Sequence, residues 1–105
     1  MFDVYDVSIQ LIQGLRPLVA KLEARDRDLA NQLRRAGSSI ALNVAEGNRR
    51  AGKNKTHHFR IAAGSAAEVG AGLDVARAWG ILETPEPVLA LLDRVRAMLW
   101  KLTHP

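Results

Sequence analysis

The chain contains no cysteine, which removes disulfides, thiolate metal sites and a cysteine nucleophile from consideration. No apolar run approaches the roughly 18 residues of a membrane span. The opening Met1-Phe2-Asp3-Val4-Tyr5-Asp6 turns acidic early and lacks a basic stretch, so no signal peptide is expected. A cytoplasmic protein is the resulting expectation. Aromatic residues are scarce, and Phe59, the one nearest the basic residues described below, falls on an apolar stripe. Any nucleic-acid contact is therefore expected to be with phosphates rather than stacked bases, led by shape and charge. No strand pattern, internal repeat or low-complexity segment is visible.

What remains is a chain of 105 residues, 48% apolar and 25% charged, the balance of a globular protein rather than a disordered one. Its length suits one domain over residues 1–105. So short a chain buries only a modest share of its surface, which keeps self-association in view.

Apolar residues recur at three- and four-residue steps in four segments. The first spans about residues 3–24, with Val4, Val7, Leu11, Leu15, Leu18 and Leu22 on one face and Pro17 expected to kink it. Residues 23–27 connect it to a second helix over 28–46, with Asp26 or Asp28 as N-cap. Leu29, Leu33, Ala36, Ile40 and Val44 form the second stripe, and Gly47 is read as its terminator. A glycine-bounded basic loop, 47–54, leads to a third helix over 55–79, capped by Asn54 or Thr56. Its stripe is Phe59, Ala62, Ala66, Val69, Leu73 and Ala76, and Gly80 ends it. Gly64, Gly70 and Gly72 lie inside it, where small residues let another backbone approach. Thr84 is read as the cap of the fourth helix, with Pro85 at its first position and Val88, Leu92, Val95, Leu99 and Leu102 as its stripe. Short connections predict an all-α, up-down-up-down antiparallel four-helix bundle.

Two helices carry apolar residues beside their stripes. Tyr5, Ile9, Ile12 and Val19 form a second line in helix 1, and Leu91, Met98 and Trp100 lie off the seam in helix 4. Trp79 and Ile81 add to the surplus. A broad core stripe would absorb such residues, but their recurrence on remote helices favours association. The expected interface is Tyr5, Ile9, Ile12, Leu91, Met98 and Trp100.

Charge is unevenly spread. Residues 34–60 hold Arg34, Arg35, Arg49, Arg50, Lys53, Lys55 and Arg60 against Glu46 alone, a net +6 that leaves the rest of this +4 chain at −2. Such a zone is either a solvated face or the footprint of an anionic partner. The candidate nucleic-acid contacts are Arg34, Arg35, Arg49, Arg50, Lys53 and Lys55. Ser39, Asn43 and Glu46 share a face of helix 2, and Ser65 and Glu68 lie three apart in helix 3. A glutamate beside Asn and Ser suits a general base. With no nucleophile–base–orienter chain, a structural hydrogen-bond network is the better reading. His57 and His58 point to different sides of a helix, and His104 is remote, so neither metal nor cofactor is expected. Arg50 and His57 resemble, weakly, the arginine–histidine pair of metal-free helical ribonucleases. No phosphate-binding glycine loop is present.

Two blocks carry a wider likeness. Gln32-Leu33-Arg34-Arg35-Ala36-Gly37-Ser38-Ser39-Ile40-Ala41-Leu42-Asn43-Val44-Ala45-Glu46-Gly47 and Phe59-Arg60-Ile61-Ala62-Ala63-Gly64-Ser65-Ala66-Ala67-Glu68 resemble the signatures of a four-helix-bundle family. Its members include proteins encoded in intervening sequences of bacterial 23S ribosomal RNA genes. The alanine-rich stretch after Ser65 departs from the bulkier residues common there. The resemblance implies a homo-oligomer, a pentameric ring of bundles, without established enzymatic activity. It also points to a relative, the accessory protein of diversity-generating retroelements, which binds nucleic acid and partners a reverse transcriptase. The expectation is thus a non-enzymatic oligomer that binds RNA or DNA with little sequence specificity. The alternatives are an adaptor for an acidic protein partner and a metal-independent ribonuclease.

Overall fold

The computed structural model describes residues 3–105; Met1 and Phe2, part of the segment read for a signal peptide, lie outside the described residues. Four helices follow in order: α1 Val4–Arg25, α2 Arg27–Arg49, α3 Gly52–Ala78 and α4 Glu86–Thr103. No strand occurs among the described residues, and no helix there is long and apolar enough to cross a membrane. Each helix packs on two others, α1 on α2 and α4, and α3 on α2 and α4. The body is elongated, 42 × 25 × 19 Å.

The helical stripes form the core almost as their periodicity predicts. Leu11, Leu22, Leu33, Ile40, Val44, Val69, Val95 and Leu99 are fully buried in one cluster drawn from all four helices. Burying an aliphatic side chain of this kind contributes about 1.5–3 kcal/mol. Leu102 is the exception, at 42% exposed. Thr103 takes the inward position instead and spends its hydroxyl on the Leu99 carbonyl at 2.9 Å. Val19, read as surplus, is buried in the core, and Ile81, Leu91 and Met98 pack partly against it. Pro17 sits on an exposed face of α1, which continues unbroken through it.

The connections are shorter than the sequence suggests. Asp26 alone joins α1 to α2: its N–H reaches the Leu22 carbonyl at 2.6 Å, and its carboxylate accepts from the Leu29 N–H at 3.0 Å. One residue thereby ends one helix and starts the next. Helix α2 runs through Gly47 to Arg49, so Gly47 is no terminator. A Cβ there would lie 2.6 Å from Cε1 of the buried Phe59 ring, so glycine is needed for close approach of α3. The eight-residue loop contracts to Arg50 and Ala51, with the turn made at Gly52, whose φ is +58°. Helix α3 therefore begins at Gly52, and neither Asn54 nor Thr56 caps it. It ends as expected at Gly80, where Gly80 N–H bonds Arg77 O and Ile81 N–H bonds Ala76 O, both at 2.9 Å. Helix α4 begins one residue later than read, with Pro85 in the capping position and Pro87 in the first turn, where a missing N–H costs nothing.

Of the three interior glycines of α3, two serve close packing. A Cβ on Gly72 would lie 3.2 Å from Leu33 Cδ1, and one on Gly70 would lie 3.6 Å from Leu92 Cδ2. One on Gly64 would meet nothing within 4 Å.

Candidate nucleic-acid interface

The α2–α3 corner gathers Arg49, Arg50, Lys53 and Lys55 within one tight reversal of the chain. Helix α3 starts without a side-chain cap, because Ala51 occupies the capping position, and its first turn holds no acidic residue. Its first N–H groups thus face outward beside two lysines. Cations at a helix N-terminus stand against the macrodipole, so the positive charges of the lysines and of the helix start add to one another.

Within that field the cations are not equivalent. Glu46, one turn back on α2, accepts from Arg50 Nε at 2.8 Å and lies 2.7 Å from Arg50 Nη2. Arg49 touches the same carboxylate only at 4.0 Å and is 80% exposed at its side chain. The Arg50 hydrogen bond and charge, with the Arg49 and His58 charges, hold the Glu46 carboxyl below its ordinary value; partial desolvation opposes them. Lys53 is exposed and makes no ion pair among the described residues. Lys55 lays its Nζ 5.6 Å from the centre of the Phe59 ring, a cation–π contact that leaves the charge unneutralised.

Arg34 and Arg35 do not join this corner. They lie fifteen and fourteen residues before Arg49 on α2, about 20 Å along the axis. Arg34 is tied to Glu23 on α1 at 3.3 Å and to Asn31 at 3.0 Å. Arg35 is exposed and unpaired among the described residues.

The polar network forms between α2 and α3 with a different membership. Ser65 Oγ donates to Ser39 Oγ at 2.7 Å, and Asn43 Nδ2 donates to the Ser39 carbonyl at 2.9 Å. With its nitrogen so engaged, Asn43 turns its oxygen to His58 Nδ1 at 3.1 Å, so Nδ1 is the donor in that bond. His58 is the member the sequence reading missed. Its spacing from Asn43 has no helical signature, because the two meet only across the interface. Glu46 serves the arginines instead, and Glu68 is exposed without a partner among the described residues. His57 is exposed, its ring 5.5 Å from that of His58. No group of three or more potential ligands that could hold a metal occurs among the described residues.

The apolar residues expected at an interface fall in three places. Tyr5, Ile9 and Ile12 follow one line of α1, and Ile12 borders Gly37 of α2. Leu91 faces Gly14 of α1, with Met98 two turns on along the same line of α4. Trp100, 60% exposed, lies half a helical turn around α4 from Leu91.

The two sequence blocks thus supply the facing surfaces of α2 and α3: the core contacts, the Ser39–Asn43–Ser65 network and the Gly47 approach. A family model for the 23S rRNA-intervening sequence protein matches residues 1–101. The chain belongs to this family. The match extends beyond the two blocks to α1 and nearly all of α4. Searches of curated proteins and of solved structures gave no significant match.

Proposed function

We propose that this member of the 23S rRNA-intervening sequence protein family is a non-enzymatic, ring-like homo-oligomer, with five copies the preferred number. In this reading it binds RNA or DNA in the cytoplasm through the α2–α3 corner, with little regard to sequence. The observation that carries the binding is the uncapped, acid-free start of α3, where Lys53 and Lys55 stand beside Arg49 with no full ionic partner. Backbone N–H groups at a helix start and free lysines are both complements to phosphate. Repetition of the corner around a ring adds avidity to weak contacts. The number of copies follows from the family resemblance; association itself is supported by Trp79 and Leu42, at 75% and 68% exposed.

The helices are proposed to run alternately up and down. Gly47 against Phe59, Ser39 against Ser65 and Gly72 against Leu33 pair descending α2 positions with ascending α3 positions. A ribonuclease using Arg50 and His57 is disfavoured because Glu46 occupies the Arg50 guanidinium.

The test is charge reversal at Arg49, Arg50 and Lys53, assayed on mixed RNA and DNA at low and moderate salt. The parent should bind with an affinity that falls steeply with salt, and the triple variant should lose most of it. Unchanged binding by a variant of unaltered oligomeric mass removes this surface. No binding by the parent, even at low salt, transfers the reading to an adaptor for an acidic protein, and a reverse transcriptase or other nucleic-acid enzyme is then no longer an expected partner.

A further inference from the structure

The groove between α3 and α4 has a direction. One length of it is lined by Ala67, Gly70, Ala71 and Asp74 of α3 and by Leu89, Asp93 and Arg96 of α4, with Arg77 and Glu83 near the connection between the helices. These are helical-repeat positions, so each line can be followed away from that connection. One heptad before Ala67 on the same line of α3 is Arg60, and one heptad further is Lys53. Four residues beyond Arg96 on the same line of α4 is Trp100. Among these residues the acidic Asp74, Glu83 and Asp93 lie toward the connection, with Arg77, and none lies on the two lines beyond Ala67 and Arg96. Arg96 lines the groove, Arg60 stands beyond it on the α3 line and Lys53 about 10 Å further along α3, all exposed and without an ion pair among the described residues.

Trp100, one turn after Arg96 on the same line of α4, is a prepared aromatic surface. The His104 ring stacks on the indole, with centroids 4.4 Å apart and planes 9° from parallel. His104 Nδ1 lies 2.9 Å from the Trp100 carbonyl and 3.1 Å from Thr103 Oγ1, which ties the imidazole in place. The indole remains 60% exposed despite this cover. A half-covered, oriented indole beside unpaired arginines is the combination that receives a flat aromatic group attached to an anionic chain.

We infer that Trp100 stacks an unpaired base, so that the basic end of the α3–α4 groove binds single-stranded nucleic acid in preference to duplex. The inference rests on the nucleic-acid reading above and narrows its ligand. Arg60, Arg96 and Lys53 meet the phosphates on either side of the stacked base. In a duplex the bases are already stacked on one another, and the indole gains nothing.

The experiment compares fluorescein-labelled 20-nucleotide single strands, mixed-sequence and oligothymidylate, with a duplex of equal length, using the full chain. Trp100→Ala should weaken single-strand binding roughly 5- to 150-fold and leave duplex binding unchanged, while Trp100→Phe recovers part of the loss. Trp79, which borders Arg25 and Asp26 at the α1–α2 corner, is the control, and Trp79→Phe should bind as the parent does. That variant leaves Trp100 as the only indole, and its fluorescence should be quenched by the single strands. Absence of quenching there overturns the inference even if Trp100→Ala fails to fold. Equal losses on single strand and duplex, or no loss on either, also overturn it. A fall in oligomeric mass on Trp100→Ala assigns the surface to a second copy of the chain instead. If the parent binds no nucleic acid at all, the underlying reading fails with it, and the charge-reversal variant shows no signal to lose.

Discussion

Gly47 and Glu46 are adjacent residues of α2 with opposite roles. Gly47 admits the Phe59 ring, and the Lys55 carbonyl oxygen lies 3.3 Å from where a Cβ would stand. Neither the buried ring nor helical backbone yields easily, so Gly47→Ala should destabilise the protein by about 1–3 kcal/mol, measured by urea unfolding. Glu46 restrains the arginines around it. Because its folded-state pKa lies below the ordinary 4.5, the unfolded chain binds more protons as pH falls through that region. Its contribution is complete above the unfolded value and disappears as pH drops through the folded one. Glu46→Gln should remove that part of the acid dependence of the melting temperature. At neutral pH the same change frees Arg50 and removes one negative charge, so nucleic-acid affinity should rise and its salt dependence steepen.

At the scale of the element, α3 is an unusual helix. It is the longest, it carries three interior glycines, and it begins on Ala51 without a cap. The Ala51 backbone already has φ −131° and ψ 157°, the extended geometry an N-cap residue adopts. Ala51→Ser should therefore add about 0.5–2 kcal/mol of stability by accepting from a first-turn N–H, read as a raised melting temperature. It introduces no charge, but it occupies one of the N–H groups offered to phosphate. A gain in stability with a modest loss of nucleic-acid affinity is the expected pair of results. A gain in both separates phosphate contact from the helix start and leaves it to the side chains.

For the whole molecule, the question is what covers the remaining apolar surface. Leu91 and Met98 line one side of α4, while Tyr5, Ile9 and Ile12 lie on α1. These are two separate strips rather than one patch. A ring supplies each subunit with two neighbours, and strips on different sides suit two contacts better than one. Sedimentation at micromolar concentration should give a mass several times 11.5 kDa. A clean monomer would sink the ring.

The sequence by itself determined the four helices and their inward faces, because a 3.6-residue period with one apolar face has a single way to be buried. It also determined the family, through the paired blocks, but left the cap between Asp26 and Asp28, and only the structure reduced that connection to Asp26 alone. Tertiary structure decided what depends on distance between helices. Gly47 reads locally as a stop signal, yet the ring of Phe59, twelve residues later, makes it a packing site within a continuing helix. His58 enters the polar network, while Glu46 and Glu68, equally well spaced along their helices, face outward. Arg34 and Arg35 share a charge segment with Arg49 but stand about 20 Å from it, because charge counted along a chain ignores the 1.5 Å rise of the helix that carries it. Trp100 lies forty residues from Arg60 in sequence, and only the packing of α4 on α3 sets the line of α4 that carries Arg96 and Trp100 beside the α3 line that runs through Ala67 to Arg60.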